Sequence, residues 1–178
     1  MPRSLKVDVS ELVLAFDNPS EEYSYFLDLE SGAVLLLTGD ASSALQDVIE
    51  KFPGDVTDAN LAEVLAASDM EDWMREQARI AFRVDYSGED SIISVPKDEP
   101  SDGYRDMELF VEQVTDAGVY DRLSRALEGN SPLRRFKDAL DSYPALEDRW
   151  YEFREERLTA RVLEWLAGEE IELIEGDD

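Results

Sequence analysis

Acidity constrains this chain more than any other feature: 43 Asp and Glu face 17 Lys and Arg, for a formal net charge of −26 over 178 residues. Self-repulsion of that size opposes a compact state in dilute buffer, so the fold must place each acid in water or beside a cation. The excess is uneven. Residues 122–161 hold nine cations against eight acids, and the rest of the chain holds eight against 35. Cations and aromatics therefore gather in one block, Leu133-Arg134-Arg135-Phe136-Lys137, then Tyr143-Pro144, then Arg149-Trp150-Tyr151-Glu152-Phe153-Arg154-Glu155-Glu156-Arg157.

Three accounts of the acidity compete. In a cytoplasm at molar salt the repulsion is screened to a few ångströms, and the use of 13 Arg against 4 Lys fits that setting. An acidic mimic of nucleic acid needs carboxylates in a regular array, whereas here they run through almost every segment, including the 87–90 loop and the 175–178 tail. Disorder fails on composition, because 10% aromatic residues and repeated apolar periods give the chain something to bury. Salt adaptation is the favoured reading.

The chain has no cysteine and no histidine, which removes disulfides, thiolate chemistry, the commonest general base and the commonest metal ligand. Residues 1–8 lack the apolar core of a signal peptide, and no run of eighteen apolar residues exists. A cytoplasmic setting without membrane contact is expected.

Periodicity predicts a helix over residues 7–16, ended by Asn18-Pro19. Residues 23–29 and 33–37 read as a hairpin across Glu30-Ser31-Gly32. Helices follow from about residue 41 to Phe52 and over 58–67. Ser68 and Glu71 read as a capping box for a third that buries Trp73, Met74, Ile80, Ala81 and Val84. Residues 91–95 read as a short strand that Pro96 makes an edge or a strand end, open to joining the hairpin as a third strand; Pro100 starts a helix that Gly118 breaks, and residues 119–128 form the next, with Gly129 as its C-cap. Ser131-Pro132 caps a helix to about Ser142, a long helix spans 145–167, and residues 171–174 read as a fourth strand. A single α+β domain over 1–178 is expected, mostly helical, with one small antiparallel sheet of three or four strands. The hairpin and short helices occupy 1–97, a helical part occupies 98–170, and 175–178 is an acidic tail.

Three motifs together, Tyr25-Phe26-Leu27-Asp28-Leu29-Glu30-Ser31-Gly32-Ala33-Val34, Val95-Pro96 leading to Met107-Glu108-Leu109-Phe110-Val111, and the cation and aromatic block, resemble the bacterial uncharacterised protein family 158. The resemblance covers nearly the whole chain except residues 40–85. Leu133 stands where the family shows phenylalanine, and Ser91-Ile92 where it shows Arg-Tyr. The resemblance implies no activity.

On the last long helix, Arg154, Arg157 and Arg161 fall within about 60° of one another, beside Trp150 and Phe153. Asp148, Glu152, Glu155 and Glu156 lie opposite, so the stripe lacks ordinary i to i+4 partners. One reading supplies its anions from the same chain, with Asp28, Glu30, Asp106 or Glu108 as sources, and places Trp73, Trp150 and Trp165 in the core. The other directs the stripe at a partner, with Arg134, Arg135 and Lys137 completing a basic patch and Trp150 offering a stacking face. Arg134 is expected to pair with Asp138.

The acid pairs Glu21-Glu22, Glu89-Asp90 and the Asp69, Glu71, Asp72 group lack EF-hand spacing, and no phosphate-binding glycine loop or Gly-x-Ser-x-Gly occurs. No catalytic residue, metal or cofactor is expected. The functional expectation is a non-enzymatic interaction or regulatory protein that meets a protein partner through the C-terminal helix pair. A nucleic-acid or phosphate-ligand binder using the same arginines, and an acidic mimic binding a basic partner, are the alternatives.

Overall fold

The computed structural model describes residues 2–88 and 90–174; Glu89 of the acidic loop and the 175–178 tail lie outside the described residues. The chain runs β1 (Arg3–Leu5), α1 (Val9–Asp17), β2 (Tyr23–Asp28), β3 (Val34–Thr38), α2 (Ala41–Lys51), α3 (Leu61–Ala66), α4 (Asp72–Tyr86) and β4 (Ile92–Val95). It continues through α5 (Pro100–Val111), α6 (Ala117–Leu127), α7 (Pro132–Leu140), α8 (Pro144–Gly168) and β5 (Ile171–Leu173). This is the expected α+β fold, rich in helix around a small antiparallel sheet.

The sheet has the order β3-β2-β4, with both neighbours antiparallel to the central β2. Its hairpin turns at Gly32, whose φ of 75° suits glycine, and a Cβ there would also collide with the Lys6 carbonyl. Gln77 of α4 covers the free edge of β3, accepting from the Thr38 N–H at 2.9 Å and donating to the Leu36 carbonyl at 3.0 Å. That satisfies backbone groups which would otherwise invite another strand. The fourth strand forms, but not in this sheet. β5 pairs in parallel with β1, a three-residue strand too short to leave a periodic signal.

Local signals failed where a competing bond was better. The Ser68 hydroxyl donates to the Leu65 carbonyl at 2.6 Å, and α4 starts only at Asp72 with no side-chain cap, so the predicted capping box does not form. Glu71 instead accepts from the Trp73 indole at 2.5 Å, and that ring is 55% exposed rather than buried. Gly118 does not break a helix but sits in the first turn of α6, where the Asp116 carboxylate accepts from its N–H and from that of Val119. Pro132 opens α7 as expected, whereas Ser131 adopts φ 55° and its side chain caps nothing.

Three apolar clusters form. One joins Leu12, Ala15 and Phe16 of α1 to Leu27, Val95 and Ile171 and to Leu158, Val162 and Leu166 of α8. A second joins Met107, Phe110, Leu123, Phe136 and Leu140 of α5 to α7 with Trp150 of α8. The third packs α2, α3 and α4 against Leu37 of β3. Helix α8 thus serves two clusters, its first half in one and its second half in the other.

Candidate functional site

The arginine stripe lies midway along α8, where those two clusters meet, and each arginine finds a carboxylate of the same chain. Arg154 reaches Asp17 at the end of α1 through both terminal nitrogens, one bond being 3.0 Å. Arg157 donates from Nε to Asp106 Oδ1 at 2.8 Å. Arg161 grips Asp106 with two bonds, Nη1 to Oδ1 at 3.1 Å and Nη2 to Oδ2 at 2.8 Å, and also faces Asp98, with Nε 2.7 Å from Oδ1. Asp106 is 1% exposed. The backbone N–H of Asp98 donates to the Phe16 carbonyl at 2.8 Å, so this loop residue is tied to α1 and α8 at once.

These ion pairs fasten α8 to α1, to the β4–α5 loop and to α5. Their electrostatics are unequal. Burial pushes the Asp98 carboxyl above the usual carboxylate range, overriding the pull of Arg161, which Asp98 must share with Asp106. Burial also works against the charge on Arg161, but two carboxylates overcome it and raise its pKa. Desolvation therefore consumes part of what the clamp gains.

Of the other residues in the predicted site, Trp150 offers no stacking face. It is 1% exposed, with Phe136, Phe110 and Phe153 at centroid distances of 5.0, 5.3 and 6.2 Å. Arg135 points back at the C-terminus of α6, donating to the Glu128 carbonyl and, at 3.2 Å, to that of Arg125. A cation there satisfies helix-end acceptors and complements the dipole. Arg134 and Lys137 are exposed, and the expected Arg134 pair with Asp138 does not form.

Among the described residues, Arg122, Arg125, Arg134, Lys137 and Arg149 make no ion pair. Arg122 lies over the Tyr143 ring at 5.6 Å. Arg122 and Arg125, with Arg135, line a groove of about 610 Å³ between α6 and α7, where Asp121 and Asp138 also stand. Of the described residues, Arg3, Lys6, Lys51 and Lys97 also make no ion pair, so what sets this block apart is that five such cations lie on two adjoining helices and the start of a third.

A family model described as "Uncharacterised protein family (UPF0158)" matches residues 87–178. The chain belongs to this family. The matched part of this UPF0158 chain contains every cation of the block together with Asp98 and Asp106, while Asp17 lies before it. The chain is also 27% identical over 170 residues to the UPF0158 protein PA5073 of Pseudomonas aeruginosa, covering 96% of this chain and 87% of that one. No solved structure matches. No helix among the described residues is long and apolar enough to cross a membrane.

Of the four acids expected to supply the stripe, only Asp106 does so. Asp28 binds Arg83 of α4 at 2.9 Å and holds the hairpin turn by accepting from the Glu30 N–H and the Ser31 hydroxyl. Its carboxyl is held well below the usual range, chiefly by the Arg83 hydrogen bond, against the opposing effect of burial. Glu108 pairs with Arg105, and Glu30 makes no ion pair. Asp17 and Asp98 were missed. Asp106 had a signal, a lone acid beside Met107 and one turn before Phe110 on an apolar face, but a loop aspartate such as Asp98 has none.

Proposed function

We propose that this UPF0158 chain is a non-enzymatic interaction protein of the cytoplasm, adapted to high salt, that docks a carboxylate-bearing protein partner on α6, α7 and the start of α8. The observation that supports it is the cluster of five cations without carboxylates, Arg122, Arg125, Arg134, Lys137 and Arg149, in a chain of net charge −26. Exposed Tyr120 and Leu133 on the same two helices add apolar surface of the kind that protein interfaces bury. A protein fits better than nucleic acid because Asp121, Glu128, Asp138 and Asp141 interrupt these cations: a continuous phosphate backbone would have to cross them, whereas a protein can set single carboxylates on the cations between them.

The test is affinity capture at molar KCl with the wild type and with Arg134→Ala plus Lys137→Ala, followed by mass spectrometry and nuclease treatment. A protein that the wild type retains and the double variant loses is the expected result. Identical recovery by both would overturn the reading, and recovery abolished by nuclease would replace the partner by nucleic acid. Salt adaptation predicts a thermal midpoint that rises steeply with KCl.

A further inference from the structure

We infer that the groove between α1 and α8 docks a positively charged amphipathic helix of a protein partner, at a surface separate from the cations of α6 and α7. The inner face of α1, Leu12, Ala15 and Phe16, is spent on the core, and Val9 and Val13 pack partly against it. With exposed Leu14, Tyr151 and the edge of buried Leu158 they form the apolar half of the lining of a cavity of about 520 Å³, Ser10, Thr159 and the Asp17–Arg154 pair being among the polar half. Leu14 is 69% exposed and Tyr151 is 50% exposed. Two of the chain's most exposed large apolar side chains thus flank one concave surface.

The rim of the groove is acidic. Glu155 lines it, Glu11 neighbours Leu14 on α1, and Glu152 lies one turn from Glu155 on α8. All three are exposed and make no ion pair, and the nearby Arg154 is already neutralised by Asp17. A groove with an apolar strip through Val9, Val13, Leu14 and Tyr151 and a negative rim complements a helix that carries an apolar stripe at i, i+3, i+4 and i+7 with cations on either side. The nine residues of α1 span about 13 Å, enough for two to three turns of such a helix. A second copy of this chain does not suit the groove, because a two-fold contact would set Glu11, Glu152 and Glu155 against their own counterparts.

The probe is a fluorescein-labelled peptide of about 16 residues made of Lys, Leu and Ala with its leucines on one helical face; an isomer of the same composition has them scattered. Anisotropy is read in about 0.5 M KCl, where screening shortens non-specific attraction to a few ångströms. The patterned peptide is expected to bind at least about tenfold tighter than the isomer. Leu14→Ala, Tyr151→Ala and Glu155→Lys each weaken it by about tenfold, with unchanged circular dichroism, and Glu63→Gln on α3 leaves it unaltered. Equal binding of the two peptides, or Leu14→Ala and Glu155→Lys both matching the wild type, would overturn the proposal. So would a dimer in sedimentation that Leu14→Lys dissolves, since the groove would then be covered by another copy.

Discussion

The arginine stripe of α8 and the cations on the outer faces of α6 and α7 come from the same block of sequence, yet they meet opposite surroundings. Arg154, Arg157 and Arg161 turn toward Asp17, Asp98 and Asp106 between two apolar clusters, whereas Arg122, Arg125, Arg134 and Lys137 stand in water without a carboxylate. Composition does not separate the two groups. What separates them is which helical face points inward, and what the rest of the chain delivers there. Arginines near apolar side chains were drawn into the fold because aspartates arrive from α1, α5 and a loop. Those on short amphipathic helices kept the outer face.

The largest effect should come from removing the acid at the centre of the clamp. Asp106→Ala takes the shared carboxylate from Arg157 and Arg161, and urea unfolding should register a loss of about 3–5 kcal/mol. A near-neutral result would break the contrast, because the carboxylate shared by Arg157 and Arg161 would then contribute nothing to holding α8.

Next comes Asp28→Asn, which weakens the Arg83 tie without touching either cation group. Because the folded carboxyl lies below its unfolded value, its contribution is present above about pH 4 and fades as pH falls toward the depressed native value. The variant should lose about 1.5–3 kcal/mol at neutral pH and converge with the wild type in acid. Asp98 responds with the opposite sign, since its raised native value means that ionisation penalises the fold and proton uptake relieves it. A gap between Asp28→Asn and wild type that persists unchanged in acid would contradict this linkage.

Arg154→Ala should cost less, about 0.2–1 kcal/mol, because its pair with Asp17 is partly open to solvent and screened by salt. A loss as large as that of Asp106→Ala would extend the buried clamp to the end of α1.

The helices and the hairpin were legible because apolar periods and Gly32 are local properties. The N-caps at Ser68 and Ser131 were misread, since a nearby carbonyl or a left-handed backbone offered a better arrangement than the expected cap. β1 and its pairing with β5 were invisible, because three residues carry no period and the partners lie at opposite ends of the chain. The stripe itself was legible as geometry, but its anions were not. They arrive from residues 51 to 137 positions away, and only Asp106 betrayed itself by sitting on an apolar face.

In the proposed function one group of cations holds the fold while the other is left for a partner, and that division can be read in stability. Its most direct test is the unfolding free energy of Arg161→Ala beside that of Arg134→Ala plus Lys137→Ala, measured in urea at one KCl concentration. A loss of about 3–5 kcal/mol is expected for the first, which strands Asp98, and a value within about 0.5 kcal/mol of wild type for the second. Equal losses in the two variants, or a neutral Arg161→Ala, would contradict it.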